Sequence, residues 1–487
     1  MPIDGAPGDQ WVNQDAIIVV PGILGSELVD TATGDVLWGL HPSVFARGWL
    51  TASNLRRLHL DDDERAGRYG RIAATRLLRA PVWLPVLRGQ EPYTDLLDAL
   101  HKVVPHPAAL AEFPYDWRLP VEHNAARLAE AAMAHLERWR RHPVHDAARR
   151  LDPAGRPARL VLIAHSMGGL LVRCLSLIAG VADEIRAGIT LGTPFYGAVR
   201  AVAMLASGDS PVPLPATRPA SALLRRRPDR GMRALSRTLP GVYDLLPTYQ
   251  CVDEGTGVRG LTADDVAAIG GDPELAAAAA AFHRRLARVT PAGHRPVIGS
   301  DQPTATNLRI AGGTVELSPL ECYHDADGRM RRRDRQGDGT VPLGAAQLPG
   351  AEATYLPQQH GGLARASDVV RHAVHIAREP DRDHLGPTLA AGRIGLDAPD
   401  HPVVAGEPWS AVVTGLEHPA DATCTIVDPV TKQPVASAKL ERRDGVVHAL
   451  ARLPEPGIFR LQVAGSGYSP VSQLVVGISA DADGADD

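Results

Sequence analysis

At 487 residues the chain is too long for one ordinary core, so two domains are expected. A composition of 44% hydrophobic and 22% charged residues is that of a soluble globular protein, and a net charge of −5 gives no electrostatic footprint for nucleic acid. Aromatic residues make up only 4%, so each of the seven tryptophans is worth locating. Residues 16–20 (AIIVV) form a short β-branched run stopped by Pro21-Gly22. Residues 93–104 have helical spacing, 109–118 read as extended around Pro114, and 125–141 are strongly helical. A second buried strand, LVLIA at 160–164, leads into a helix over 168–179 and a further strand over 185–192. Buried runs without alternation, separated by helices, predict a doubly wound, mostly parallel sheet covered on both faces.

After Phe195 the alternation stops. Residues 195–305, rich in Pro and Arg, are read as a cap insertion, and residues 36–90 as a second cap segment. Regular α/β character is expected to return at 307–311, 353–356 and 367–377. Residues 378–397 are polar and read as a linker closing a catalytic domain over 1–385. Beyond them, short β-rich runs broken by Gly, Pro and Asp turns predict an all-β immunoglobulin-like or macroglobulin-like sandwich over 397–480. It is expected to be a separable module for recognition or regulation, the candidate for binding a protein partner. The alternative is that it packs on the enzyme and is part of its architecture.

The chemistry concentrates in LVLIAHSMGGLLVRCL, residues 160–175. A buried strand runs into His165-Ser166-Met167-Gly168-Gly169 and a helix opens at once. Such a strand-to-helix elbow holds a serine Oγ out over the sheet, and Ala164 in place of the usual glycine is a mild departure. A serine hydroxyl needs a base, and the base an orienting carboxylate. In an α/β-hydrolase they follow in the order Ser, Asp or Glu, His. Asp338 in QGDGTVP and His360 in QQHGGL fit that order. Asp325 and Asp334 compete as acids, and His372 and His375 as bases, although both histidines fall inside a helical stretch. Backbone donors for an oxyanion are expected from Met167, after the nucleophile, and from Ile23 in the PGILGS loop.

The segments VVPGILGSELVD, EFPYDWRLP, AHSMGGLLVR, LGTPFYGA, YDLLP and GDGTVP occur in the order of the lecithin:cholesterol acyltransferase-like family, which the chain resembles over residues 15–380. The resemblance implies an α/β-hydrolase with cap insertions, nucleophile Ser166, acid Asp338, base His360 and oxyanion amides Ile23 and Met167. It also implies a serine-dependent lipid esterase, phospholipase or acyltransferase that forms an acyl-serine intermediate. Animal members carry a disulfide after the first strand, whereas here no cysteine precedes Cys174. Two alternatives stand beside this reading: a small-ester hydrolase whose cap excludes lipid, and an idle scaffold used as a binding module.

Trp38 and Trp49 lie in VLWGLHPSVFARGWL, at the position of the family's membrane-contacting segment. They are candidates for substrate and peripheral membrane contact, with ordinary core packing as the competing reading. The clusters at 225–227 and 331–333 could meet anionic headgroups or be solvated faces. Residues 115–118 (YDWR) read as a structural corner beside the site. HDADG at 324–328 lacks further spaced ligands and reads as a polar turn, so no metal and no cofactor are assigned. The N-terminus has no basic or apolar signal region, no run approaches the roughly 18 residues of a bilayer span, and the four cysteines lie apart without a CxxC pair. A cytoplasmic location is the expectation.

Overall fold

The run at Ala16–Val20 is buried throughout because both of its faces are covered: Ala16, Ile18 and Val20 enter one apolar core, Ile17 and Val19 the other. Leu160–His165 repeats the pattern, with Leu160, Leu162 and Ala164 on the first side and Val161 and Ile163 on the second. The structure, a computed structural model, describes residues 14–39, 56–78, 93–151, 155–206, 233–325, 327–378, 393–465 and 468–479. Its central sheet runs Thr354–Leu356, His294–Gly299, Ile185–Leu191, Leu160–His165, Ala16–Val20, Leu110–Glu112, with every neighbouring pair parallel. Helices Val121–Arg140 and Gly168–Leu175 supply Leu128, Leu136, Trp139, Leu170 and Leu171 to the first core. Thr94–His101 and Ser367–Arg378 supply Leu96, Leu97, Leu100, Val369 and Ala373 to the second. A parallel sheet sealed by helices on both faces, with the Ser166 elbow at the end of an inner strand, is the α/β-hydrolase architecture.

Two expectations about the cap are corrected. His294–Gly299, placed within the insertion, is an inner strand of the central sheet, paired with Ile185–Leu191 and Thr354–Leu356. Its sequence HRPVIG hid this, because Pro296 interrupts a run that would otherwise read as a buried strand. Conversely, Asn307–Ala311 does not return to the central sheet. It pairs antiparallel with Thr314–Ser318 and lies beside Gln250–Asp253 in a separate four-stranded sheet. In the other cap segment Val36–Trp38 and Ile72–Leu77 pair antiparallel with Ser26–Asp30, which precedes it, in a three-stranded sheet, and a short helix spans Asp62–Arg65.

The C-terminal region is one ladder of eight strands folded over a main core, with a smaller cluster of Ile458, Leu474 and Val476 beside it, and it starts at Gly395–Asp397, inside the expected linker. The long strand Pro434–Arg443 serves both layers: Pro434 to Ala438 pair with Ala422–Val427, and Lys439 to Arg443 with Val446–Ala451. Val413, Val447 and Ala449 of one layer thereby meet Ile426, Leu461 and Val475 of the other. Among the described residues, no helix is long and apolar enough to cross a membrane.

Buried titratable groups set the acid stability of this fold. Burial lowers His165 to about 3 and His294 and His372 to about 4, from 6.5. Burial raises Asp244 from 3.8 to about 7. Between pH 4 and 6.5 the unfolded chain therefore binds three protons that the native histidines refuse, while native Asp244 keeps one that the unfolded chain releases. Burial also lowers His59, His123, His135, His145 and His283, so the unfolded chain takes up more protons than the native one and stability falls with falling pH. Calorimetric Tm is expected to drop steadily from pH 7 to 4.5, and a flat or rising Tm would refute this balance.

Candidate active site

The elbow is built by the junction of strand and helix. Ser166 takes a left-handed backbone conformation, φ 52°, between Leu160–His165 and Gly168–Leu175, and its amide is held by the Leu191 carbonyl at 2.9 Å. Such a conformation in a non-glycine residue is strain that the surrounding packing sustains. Ala164 is tolerated because it sits inside the buried strand, paired with Val20 and Thr190.

Three side chains distant in sequence converge here. Ser166 Oγ lies 2.8 Å from His360 Nε2, and His360 Nδ1 lies 2.7 Å from Asp338 Oδ2. All three residues are buried. Asp338 is aimed by its own loop: Oδ1 accepts from the amides of Thr340 (3.0 Å) and Val341 (2.7 Å), leaving Oδ2 for the histidine. The Asp338 carbonyl accepts from His360 N–H at 2.7 Å, tying the two loops by main chain as well. Gly192 leaves room for the pair, since a Cβ there would lie 2.9 Å from Asp338 Oδ2 and 3.1 Å from His360 Nδ1. With Nδ1–H donated to the carboxylate, the Nε2 lone pair faces the serine, which is the tautomer a general base needs.

The competing candidates lie elsewhere. His372 and His375 are on Ser367–Arg378, where His372 Nε2 is 3.4 Å from Thr354 Oγ1. Asp325 receives the amides of Asp327 and Arg329 in a hairpin turn, and Asp334 receives that of Gln336.

The loop carrying Ile23 is pinned on both sides. The Pro21 carbonyl accepts from Tyr115 Oη–H at 3.0 Å, and the Leu24 carbonyl from the Trp38 indole at 2.9 Å. A Cβ on Gly22 would stand 2.9 Å from Ser166 Cβ, so only glycine lets this loop approach the serine so closely. Among the described residues, neither Ile23 N–H nor Met167 N–H has an acceptor within the protein. Two backbone donors beside the serine can therefore receive a substrate oxygen.

Trp38 does not meet the expectation of membrane contact. It is 2% exposed, packed edge-on against Trp117 with ring centroids 5.2 Å apart, and it braces the Ile23 loop. Trp49 and Arg225–Arg227 lie outside the described residues. The side chains at 331–333 are engaged by acids: Arg331 with Asp325, Arg332 with Asp253, Arg333 with Glu321. The YDWR corner is structural, as expected. Arg118 is fully buried between Asp116 and Glu64, 2.7 Å from each.

A buried relay was not anticipated. Gly22 N–H donates to Tyr93 Oη (2.8 Å), which lies 3.0 Å from His165 Nδ1, while His165 Nε2 lies 2.9 Å from the His360 carbonyl. Burial keeps His165 neutral. A carbonyl only accepts, so Nε2 carries the proton, Nδ1 accepts from Tyr93 O–H, and the tyrosine oxygen accepts from Gly22. One polar chain thus joins the loop before Ile23, the residue before Ser166 and the main chain of His360. His165 was legible only as a buried polar residue beside the elbow, and Tyr93 carried no signal.

The family model described as "Lecithin:cholesterol acyltransferase" matches residues 83–255. Among curated proteins none matches significantly. Solved structures similar to the chain include one in the Tle4–Tli4 complex, at 15% identity over 75% of this chain and 99% of that one, TM-score 0.44. Bacillus licheniformis lipase BlEst2 in its propeptide form is 13% identical over 96% of this chain and 74% of that one, TM-score 0.29. Phospholipase PlaB from Legionella pneumophila is 12% identical over 80% and 86%, TM-score 0.24. The family match supports a lipid esterase or acyltransferase. Residues 83–255, which include Ser166, thus resemble the lecithin:cholesterol acyltransferase family, on an α/β-hydrolase fold.

Proposed function

We propose that the chain is a serine-dependent lipid esterase, phospholipase or acyltransferase working through an acyl-serine intermediate. The unbroken chain from Ser166 Oγ through His360 to Asp338, at 2.8 and 2.7 Å, carries this reading. His360 Nε2 takes the serine proton as Oγ attacks the ester carbonyl carbon. The amides of Ile23 and Met167 receive the oxyanion of the tetrahedral intermediate. Collapse breaks the bond to the alcohol oxygen, which leaves with the proton from His360. Water or an acceptor alcohol then attacks the acyl-serine carbonyl as His360 takes its proton, and the bond to Ser166 Oγ breaks as His360 returns that proton to the serine, releasing acid or a new ester. Hydrolase and acyltransferase share these residues and differ in the acceptor. We place this activity in the cytoplasm with peripheral access to lipid, a reading supported by the four cysteines, all unpaired thiols.

Labelling with a fluorophosphonate probe and turnover of p-nitrophenyl esters of increasing chain length test the proposal. Each methylene buried in an acyl site contributes about 0.8 kcal/mol, so kcat/KM should rise tenfold or more from acetate to a long-chain ester. Labelling at Ser166 with activity on phosphatidylcholine vesicles is the expected outcome. A preference for acetate would instead support the small-ester hydrolase, and absence of labelling the idle scaffold.

A further inference from the structure

The C-terminal β domain meets the hydrolase at the loops that carry Asp338 and His360. Gln302 is fully buried: its Nε2 donates to the Ile394 carbonyl at 3.0 Å and its Oε1 accepts from Leu396 N–H at 3.0 Å. The same Oε1 accepts from Gln359 Nε2 at 3.0 Å, and Gln359 Nε2 also donates to the Leu396 carbonyl. Leu396 lies on the edge strand Gly395–Asp397, paired on its other side with Trp409–Thr414. Two glutamine side chains thereby satisfy both polar groups of a buried strand residue, which would be costly to leave unpaired.

The position of each glutamine gives this clasp its meaning. Gln359 directly precedes His360. The Gln302 main chain pairs with Gly337, directly before Asp338, through N–H···O bonds of 3.0 and 3.2 Å. Two further tethers bracket the same loops. Arg200, itself buried, donates from Nε to the Gly339 carbonyl at 2.9 Å and reaches Asp400 of the β domain with Nη1 at 3.1 Å. Gln358 Nε2 donates to the Pro470 carbonyl at 2.9 Å. Polar links from Ile394, Leu396, Asp400 and Pro470 therefore reach Gln359 and Gln358, the two residues before His360, and Gln302 and Arg200, which bond the residues on either side of Asp338.

We propose that the β domain is a positioning element of the catalytic site: through Gln302, Gln359 and Arg200 it holds the Asp338 and His360 loops in register. This rests on the catalytic reading of the triad proposed above. None of these residues touches substrate; each acts through the acid or the base. A displacement of the base of about 1 Å can cost up to a hundredfold in rate while leaving substrate binding intact.

The test uses the full-length chain. Gln359→Ala and Asp400→Ala are expected to lower kcat on a soluble p-nitrophenyl ester by about ten- to a hundredfold, with KM changed less than threefold. Lys432→Ala, which removes a peripheral ion pair with Asp95 at the same domain boundary, should leave kcat within twofold. Asp400→Ala removes only the β-domain side of a tether and decides the matter if Gln359→Ala does not fold. A spectroscopic readout separates failure of this proposal from failure of the catalytic reading. The downfield proton NMR signal of the Asp338–His360 hydrogen bond, recorded in a Ser166→Ala background, needs no turnover. It should be present in that background and shift or broaden on Gln359→Ala or Asp400→Ala. Variants with normal kcat and an unmoved signal, showing only a lowered Tm, would overturn the proposal and leave the clasp as structural glue.

Discussion

Replacing Ser166 by alanine is expected to lower kcat on any ester substrate by about 10⁴-fold or more and to abolish fluorophosphonate labelling. The size follows from the geometry. Ser166 Oγ is the oxygen that His360 Nε2 faces, at 2.8 Å, and it sits beside the two amides able to take an oxyanion. Its removal leaves those donors and substrate binding in place, which account for a small residual rate over water. The elbow itself should survive, because alanine places the same Cβ on the same left-handed backbone, φ 52°. Far-UV circular dichroism and Tm close to the parent would confirm that the loss is chemical. A folded Ser166→Ala protein with near-normal turnover would sink the mechanism.

Asp338→Asn is the second large effect, about 10⁴-fold in kcat with little change in KM. An asparagine could in principle turn its carbonyl toward His360, but here the loop forbids that. The Oδ1 position accepts from the amides of Thr340 and Val341 at 3.0 and 2.7 Å, so the amide oxygen must occupy it. The NH₂ group is then forced against His360 Nδ1. The imidazole responds by carrying its proton on Nε2, and in that tautomer it cannot take the proton of Ser166. His360→Ala should be as damaging. His375→Ala should be nearly silent, because His375 lies on Ser367–Arg378, the helix that seals the far core. Measured kcat and KM for the three variants decide the assignment: an essential His375 with a dispensable His360 would show the base to be misplaced.

What the amino-acid sequence determined by itself is local or follows chain order. LVLIAHSMGG announces its elbow because a buried β-branched strand, a small-residue turn and a helix all fall within sixteen residues. The order Ser166, Asp338, His360 singles out two loops without any knowledge of distance. The all-β character of the C-terminal region was legible from its closely spaced runs and turns, whereas its strand order, in which only three of the seven neighbouring pairs are consecutive in sequence, was not. Tertiary structure alone decided the rest. His294–Gly299 becomes an inner strand through parallel partners about a hundred residues before it and sixty after it, despite Pro296 in its middle. Trp38 becomes a brace for the Ile23 loop because the Leu24 carbonyl and the Trp117 ring meet it in the folded state. The Tyr93–His165–His360 relay and the glutamine clasp on Leu396 join residues from 37 to 195 positions apart. Such pairs leave no periodicity along the chain. Each side chain reads as an ordinary polar residue until packing removes water from it, and burial then obliges it to find the one partner that the fold brings within reach.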